Sequence, residues 1–431
     1  MKICVFGLWH LGVVTSACLA SSGQHVIGLD FNEEVVKNLK KGIPPLFEPN
    51  LEDLIKKGIA EKKLEFSTNI EQSVHDAQLI WVTYDTPVDE NDCADVNFVI
   101  DRISQIFPYL KDGQNILVSS QLPAGSVAHL EKLFHRLYPD ISVSFAYSPE
   151  NLRLGKAISA FTEPERIIVG IRNEFDKKIY AELLSSFTNH IEWMSVESAE
   201  MTKHALNAFL ATSIVFINEI ATICEKVGAN AKEVERGLKT DIRVGQKAYL
   251  SPGSAFSGGT LARDINFLEQ LGKQKDVQTQ LISATKISND IHKNWSLLRL
   301  SQLFGSLKGK TIAIWGLTYK PDTDTLRRSS SLELCKKLLE IGAQVQAHDP
   351  AIKNLPNEYN KVKLCLSPLD ATKGADALVI ATEWSVYRSV EIEKVISLMN
   401  TPYIVDANYF LGAILSSMVG SIEYISIGKS K

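Results

Sequence analysis

The chain has 431 residues, 45% of them hydrophobic and 22% charged, enough to bury more than one core and to divide into two or three domains. Its 46 basic and 50 acidic residues give a formal net charge of -4 without a long single-sign run, which argues against nucleic acid or an anionic membrane as partner and leaves small-molecule chemistry. Six scattered cysteines, Cys4, Cys18, Cys93, Cys224, Cys335 and Cys365, have neither paired nor metal-ligand spacing and suit reduced thiols in a cytoplasm.

In chain order, "KICVFG" reads as a first strand, a helix follows to about Ser22, and "GQHVIGLD" is a second strand ending in Asp30. Lys2, the apolar run behind it and "ACLA" at 17–20 imitate a secretory signal, but Gly7, His10 and Gly12 interrupt the run and a strand follows it. "DAQLIWVT" (76–83) is another apolar strand. Residues 197–300 hold few strand-like runs and one long segment with apolar positions at helical spacing, "SAEMTKHALNAFLATSIVFINEIATICEKVG". No apolar run is expected to reach the roughly 18 to 20 residues of a membrane span. The opening pattern then returns: "KTIAIWG" is a strand, "SLELCKKLLEIG" a helix, "GAQVQAHD" a strand ending in Asp349, and "DALVIAT" (376–382) a further strand. The predicted class is α/β, with two doubly wound Rossmann-like domains (1–196 and 301–431) joined by a central helical region (197–300).

Residues 5–14, "VFGLWHLGVV", resemble a dinucleotide-binding turn framed by Gly7 and Gly12. The glycines of such a loop make the tight turn, let backbone approach a pyrophosphate, and let the helix pack on the sheet. Gly7 and Gly12 serve the first and last of these, while Trp9 stands where the middle glycine is expected. Its indole either points away from the pyrophosphate or fills the cofactor groove. Asp30 ends the second strand, where a carboxylate accepts from a ribose 2′-hydroxyl and repels a 2′-phosphate, so NAD is favoured over NADP. Any α/β protein can carry a glycine turn and a strand-end aspartate, and the loop alone leaves cofactor binding open.

Further stretches, in order, resemble the UDP-glucose/GDP-mannose dehydrogenase family: "EPNLEDLIKKG", "TPVDENDCADV", "SPENLRLGKAI", the central helix with Lys203 and Asn207, "DIRVGQKAYLSPGSAFSGGTLARD", "KGKTIAIWGLTYKPDTDTLRRSSS" and "ADALVIATEW". The resemblance implies an NAD-binding N-terminal domain, a central dimerisation region, and a C-terminal domain that holds the nucleotide of a nucleotide-diphosphate sugar, a UDP-sugar being favoured. The family reaction oxidises the sugar C6 alcohol to a carboxylate with two NAD molecules, through a cysteine thiohemiacetal and thioester, and suggests polysaccharide-precursor synthesis. It implies a cofactor site of Gly7, Trp9, His10, Leu11, Gly12, Asp30, Thr86 and Pro87. The implied catalytic group is Lys203, Asn207, Asp264, Glu150 as acid or base, and the Thr260 position; no metal is implied. Arg243, Tyr249, Gly253, Lys320 and Arg327 are implied for the substrate, with Arg243 reaching the neighbouring subunit of a homodimer.

The chemistry of these residues agrees. Lys203 and Asn207 are four apart on one helix face, so an ammonium and an amide can jointly stabilise a developing alkoxide, although a solvated lysine beside a capping amide has the same spacing. Asp264 can accept a proton through a water or pair with Lys203. Lys320 and Arg327 suit phosphate or sugar hydroxyls. The departures from the family fall in the reaction itself. Thr260 occupies the nucleophilic cysteine position, and its hydroxyl hardly ionises where a thiol ionises near pH 8.5. Gln121 replaces a threonine associated with positioning water, Leu154 replaces a second glutamate, and "VDANYF" lacks the arginine of an Asp-Gly-Arg-Asn pattern. Cys93 is a candidate replacement thiol. Three readings follow: an active NAD-dependent oxidoreductase of a nucleotide sugar, an enzyme using transient oxidation for another outcome, and a catalytically silent nucleotide-sugar-binding homologue. Retention of Lys203, Asn207 and Asp264 favours the first.

Overall fold

A computed structural model describes residues 1–89, 94–150, 152–257, 259–415 and 422–429. The chain divides into two compact units, Met1–Leu206 and Asn207–Lys431.

The first unit is built on eight strands: β1 (Lys2–Phe6), β2 (His25–Leu29), β3 (Leu64–Ser67), β4 (Leu79–Val82), β5 (Asn115–Val118), β6 (Ser144–Tyr147), β7 (Ile167–Ile171) and β8 (Ile191–Ser195). Their order is β3-β2-β1-β4-β5-β6-β7-β8, parallel throughout except for the antiparallel β6–β7 pair. Alternation along β1 sends Ile3 and Val5 into one core with Val13, Ala17, Leu19 and Ile55, and Cys4 and Phe6 into the other with Val99, Phe107 and Phe134. Burial on both faces is why these strands read as continuous apolar runs. Strand order reverses between β1 and its neighbours β2 and β4, so the loop after β1 lies at the topological switch point, where α/β sheets open a crevice for ligands.

The second unit repeats this arrangement with β9 (Thr311–Trp315), β10 (Gln344–His348), β11 (Lys363–Leu364), β12 (Ala377–Ile380), β13 (Tyr403–Asp406) and β14 (Glu423–Ile425) in the order β11-β10-β9-β12-β13-β14, all parallel. The triplet β10-β9-β12 matches β2-β1-β4, as the repeated sequence pattern predicts. Ahead of the sheet stand the helices Ala231–Thr240, Thr260–Gln274, Gln280–His292 and Trp295–Phe304.

By length and composition the long helix Val196–Val227 is sufficient to cross a membrane. Its apolar residues are interrupted by buried polar ones, Glu200, Lys203, His204, Asn207 and Asn218, and these hydrogen-bond to protein groups. Such buried pairing is the mark of a helix packed in a protein core.

Candidate functional site

The loop after β1 is fixed at both ends. Gly7 donates its N–H to the Leu29 carbonyl at 2.9 Å, and the Thr83 hydroxyl donates to the Gly7 carbonyl at 2.8 Å. Gly7 has φ +103°, and a Cβ there would lie 2.9 Å from Tyr84; one on Gly12 would lie 1.7 Å from the Gly7 carbonyl oxygen. Both glycines are therefore required by the turn and by the approach of helix to strand. Trp9 is different. It is the N-cap of helix His10–Ser21 with φ -89° and ψ -156°, an extended conformation open to any residue, and it is 46% exposed. The first helical bond runs from Val13 N–H to the Trp9 carbonyl, which leaves the His10, Leu11 and Gly12 N–H groups without carbonyls inside the helix. The Leu11 side chain is buried, so only its backbone is available to a ligand.

Asp30 accepts from Leu8 N–H at 2.6 Å on Oδ2 and from Asn32 N–H at 2.9 Å on Oδ1, and each oxygen keeps a lone pair for a ribose hydroxyl. Its counterpart Asp349 behaves otherwise. One oxygen, Oδ2, accepts from Leu317 N–H, Thr318 N–H, the Thr318 hydroxyl and Trp384 Nε1–H at 2.7–3.2 Å, so it serves the fold. Thr86 is buried with its hydroxyl donating to the Gln121 carbonyl at 2.6 Å, and Pro87 is exposed beside it. The segment 121–127 is held further by two residues of the long helix. The His204 ring bonds the Leu122 carbonyl at 2.9 Å, and buried Glu200 accepts from Gly125 N–H and Val127 N–H at 2.7 and 3.0 Å. Burial pushes the Glu200 carboxyl above the ordinary carboxylate range, and the two N–H bonds oppose that rise.

One helical position earlier than His204, Lys203 is buried and donates from Nζ to the Glu150 carbonyl at 2.6 Å, with the Glu150 carboxylate 3.9 Å away. Glu150 in turn accepts from Leu152 N–H at 2.8 Å. The first unit thus brings Lys203 and Glu150 together. Leu154 is exposed and Gln121 buried.

In the second unit Asn207 and Asp264 are both buried, and Asn207 Nδ2 donates to Asp264 Oδ2. Thr260 opens helix Thr260–Gln274 one turn before Asp264, yet it is exposed, and among the described residues nothing hydrogen-bonds its hydroxyl. A cleft of about 870 Å³ is lined by Lys232, Lys239, Lys247, Lys293 and Lys320, with Glu383 as its acidic residue, and by Tyr249, Gly253, Ser254 and Asn408. Burial and then the Asp406 charge raise the Glu383 carboxyl above its ordinary range. Gly253 sits where its N–H donates to Asn218 at 2.9 Å, its carbonyl meets the His292 ring at 2.9 Å, and a Cβ would lie 2.3 Å from Asn408 Oδ1. Asn408 also accepts from Ser254 N–H at 2.6 Å. Lys320 Nζ lies 5.5 Å from the Tyr319 ring centroid, and Arg327 is exposed. Arg243 is far from buried, its side chain 86% exposed and paired through two nitrogens with Asp241.

Sequence models of one family match most of the chain: its NAD binding domain at residues 1–188, its central domain at 197–291 and its UDP binding domain at 313–413. The UDP-glucose 6-dehydrogenase of Pseudomonas aeruginosa is 32% identical over 447 residues, covering 100% of this chain and 98% of that relative. The chain belongs to the UDP-glucose/GDP-mannose dehydrogenase family. Among other relatives, the UDP-glucose 6-dehydrogenase YwqF of Bacillus subtilis is 33% identical, covering 100% of this chain and 98% of that relative. The fold is that of a UDP-glucose dehydrogenase from Pyrobaculum islandicum, with a TM-score of 0.87 at 24% identity over 100% of this chain and 98% of that one.

This member of the dehydrogenase family is an NAD-dependent oxidoreductase. The residues present fit the cofactor, since the Gly7–Gly12 cradle has no room for a Cβ at Gly12 and three helix-start N–H groups and Asp30 retain bonding capacity. No described cysteine replaces Thr260. Cys4, Cys18, Cys224, Cys335 and Cys365 are buried, and burial pushes the Cys18 and Cys335 thiols up to about 12. Cys93 lies outside the described residues. Reading the sequence missed Glu48, Asn218, His292 and Asn408. The signal for Glu48 was the "EPN" segment; the other three act on backbone groups of distant loops and leave no local pattern.

Proposed function

We propose that this dehydrogenase oxidises the C6 alcohol of a nucleotide-diphosphate sugar, a UDP-sugar by preference, and releases aldehyde or its hydrate ahead of any acid. The observation that carries this reading is the contrast at the start of helix Thr260–Gln274. Asp264 is buried and held by Asn207, whereas Thr260 is exposed with no described partner for its hydroxyl.

The family's UDP binding domain match and the relatives named for UDP-glucose support the substrate class, and the lysine-lined cleft suits a diphosphate. Lys320, Arg327, Tyr249 and Gly253 are the residues we assign to it. Bound at the Gly7–Gly12 loop, NAD supplies a hydride acceptor. The protein's share is to take the hydroxyl proton and to stabilise the alkoxide. Asp264 accepts that proton, directly or through a water, and Asn207 keeps the carboxylate oriented. Lys203 supplies positive charge to the alkoxide, and its bond to the Glu150 carbonyl fixes where that charge stands. None of this needs a thiol. A covalent second stage does, and a threonine hydroxyl without a neighbouring base is a poor nucleophile. An aldehyde hydrate again presents a C–H and an O–H on one carbon, so slow further oxidation runs through water addition instead.

The working unit in this reading is a homodimer. Phe209, Phe216 and Ile223 recur every seven residues on the long helix and are 67%, 46% and 57% exposed, an apolar stripe suited to a second copy. The exposed Arg243 then reaches the substrate of the partner subunit. Unpaired cysteines support a reducing compartment such as the cytoplasm.

Thermal shifts with UDP-, GDP- and TDP-sugars, each with and without NAD, test the assignment, because a ligand of the native state raises apparent stability. The expected result is stabilisation by a UDP-sugar and by NAD, with NADH formed when both are present. Stabilisation by a sugar nucleotide but never by NAD selects the silent-binder reading.

A further inference from the structure

Glu48 is a buried carboxylate, 4% exposed, with no lysine or arginine beside it among the described ion pairs. Its charge is met by three N–H donors from two separate segments. Oε1 accepts from Ala157 N–H at 2.8 Å, and Oε2 accepts from Gly155 N–H at 2.8 Å and from His10 Nε2 at 3.0 Å. A carboxylate only accepts, so the His10 nitrogen facing it carries the proton. These partners are not incidental packing. His10 is the first residue of the helix whose opening N–H groups form the cofactor cradle, and Gly155 and Ala157 close the segment that begins at Glu150, the residue whose carbonyl holds Lys203. Lys203 therefore ties Glu150 and Glu48 ties Gly155 and Ala157, and among the described residues Glu48 hydrogen-bonds these last two to the cofactor helix, on which the helix Ala157–Thr162 also packs directly.

We propose that Glu48 is a positioning residue that couples NAD binding to nucleotide-sugar binding by holding Gly155, Ala157 and the start of helix His10–Ser21 in one fixed relation. The inference rests on the reading above, in which Lys203, held by the Glu150 carbonyl, stabilises the sugar alkoxide. A buried carboxylate is costly unless every lone pair facing protein is met, and an apolar side chain gives packing without that demand. The carboxylate is suited to what packing cannot do: it makes the bonds of two segments depend on one pair of oxygens. A ligand that orders the helix start orders the segment, and the segment's ligand orders the helix start by the same factor, since coupling between two sites is reciprocal.

Titration calorimetry of the full chain with NADH and UDP-glucose, a pair that does not turn over, tests this. In the native chain each ligand should tighten the other by about tenfold, equally in both directions. Glu48→Gln keeps the volume but puts an amide N–H against at least one of the three donors, and it should bring the coupling to within about twofold of none. A merely structural role lowers the melting temperature and leaves the coupling ratio where it was. If Glu48→Gln fails to fold, His10→Leu severs only the cofactor arm; it should abolish the coupling while UDP-glucose binds alone as in the native chain. Native chain that binds both ligands without coupling, or a folded variant that keeps the full factor, overturns the proposal and leaves the assigned reaction standing. A native chain that binds no nucleotide sugar overturns that assignment, and the coupling with it.

Discussion

At Trp9 the backbone is extended and the indole half exposed, so the side chain does not strain the turn. Trp9→Gly should leave NAD affinity unchanged or tighten it by up to about tenfold, because an N-cap glycine costs a helix only a few tenths of a kcal/mol more than the best caps. Titration of native and variant chains reads this directly, and a large loss of affinity contradicts it. Thr260 is the second decisive residue. Thr260→Cys restores a thiol at a helix N-terminus, a position that lowers thiol pKa, one turn from a buried carboxylate. That variant should trap sugar aldehyde as a covalent adduct visible by mass spectrometry, and the native chain should show none.

Among elements, the helix Val196–Val227 carries the most. Its buried polar face orders the segment 121–127 through Glu200 and His204 and presents Lys203 and Asn207, while Phe209, Phe216 and Ile223 stay exposed. Phe216→Glu puts a charge in the middle of that stripe and should convert the proposed dimer to monomer at micromolar concentration in sedimentation; native chain that is monomeric and fully active removes the dimer and the role of Arg243. The loop around Gly253 shows a tighter constraint. Gly253→Ala places a methyl against Asn408 and should cost about 1–3 kcal/mol and weaken UDP binding, measured by denaturation and calorimetry. How much of this was legible differs by element. The strands β1, β2, β9 and β10 and the helices between them were readable, because strands buried on both faces appear as apolar runs bounded by glycine and aspartate. Lys203, Asn207 and Asp264 stood out in the sequence by helical spacing and by resemblance, and all three are buried in the structure. The roles of Glu48 and Asn408 were not legible, because Glu48 bonds backbone groups more than a hundred residues away besides the His10 ring and Asn408 bonds Ser254, contacts that no local period records. The long helix is apolar enough overall to cross a membrane, yet its polar residues, four or so apart, interrupt every apolar run in the sequence.

On the scale of the molecule, two copies of one βαβ arrangement have taken different work. Asp30 keeps free acceptor capacity at the end of β2, whereas Asp349 at the end of β10 is committed to the turn after β9. The charge state of the whole chain follows from such commitments. Burial lowers the pKa of His292 below its ordinary 6.5, and burial acts in the same direction on His348. The unfolded chain takes up protons there that the folded chain refuses, so this contribution to stability is present above about pH 6.5 and is lost as pH falls through the depressed folded values. His292→Asn should therefore lose less melting temperature than the native chain between pH 7.5 and pH 5.5, within about that window. Electron count separates a single oxidation from the covalent two-stage reaction. Rapid-quench product analysis beside NADH counting, with the UDP-sugar that the stability screen selects, measures it in a single turnover. The expected result is one NADH per sugar with aldehyde or its hydrate accumulating before acid; two NADH per sugar from the first turnover, with a covalent sugar adduct on Thr260, contradicts it.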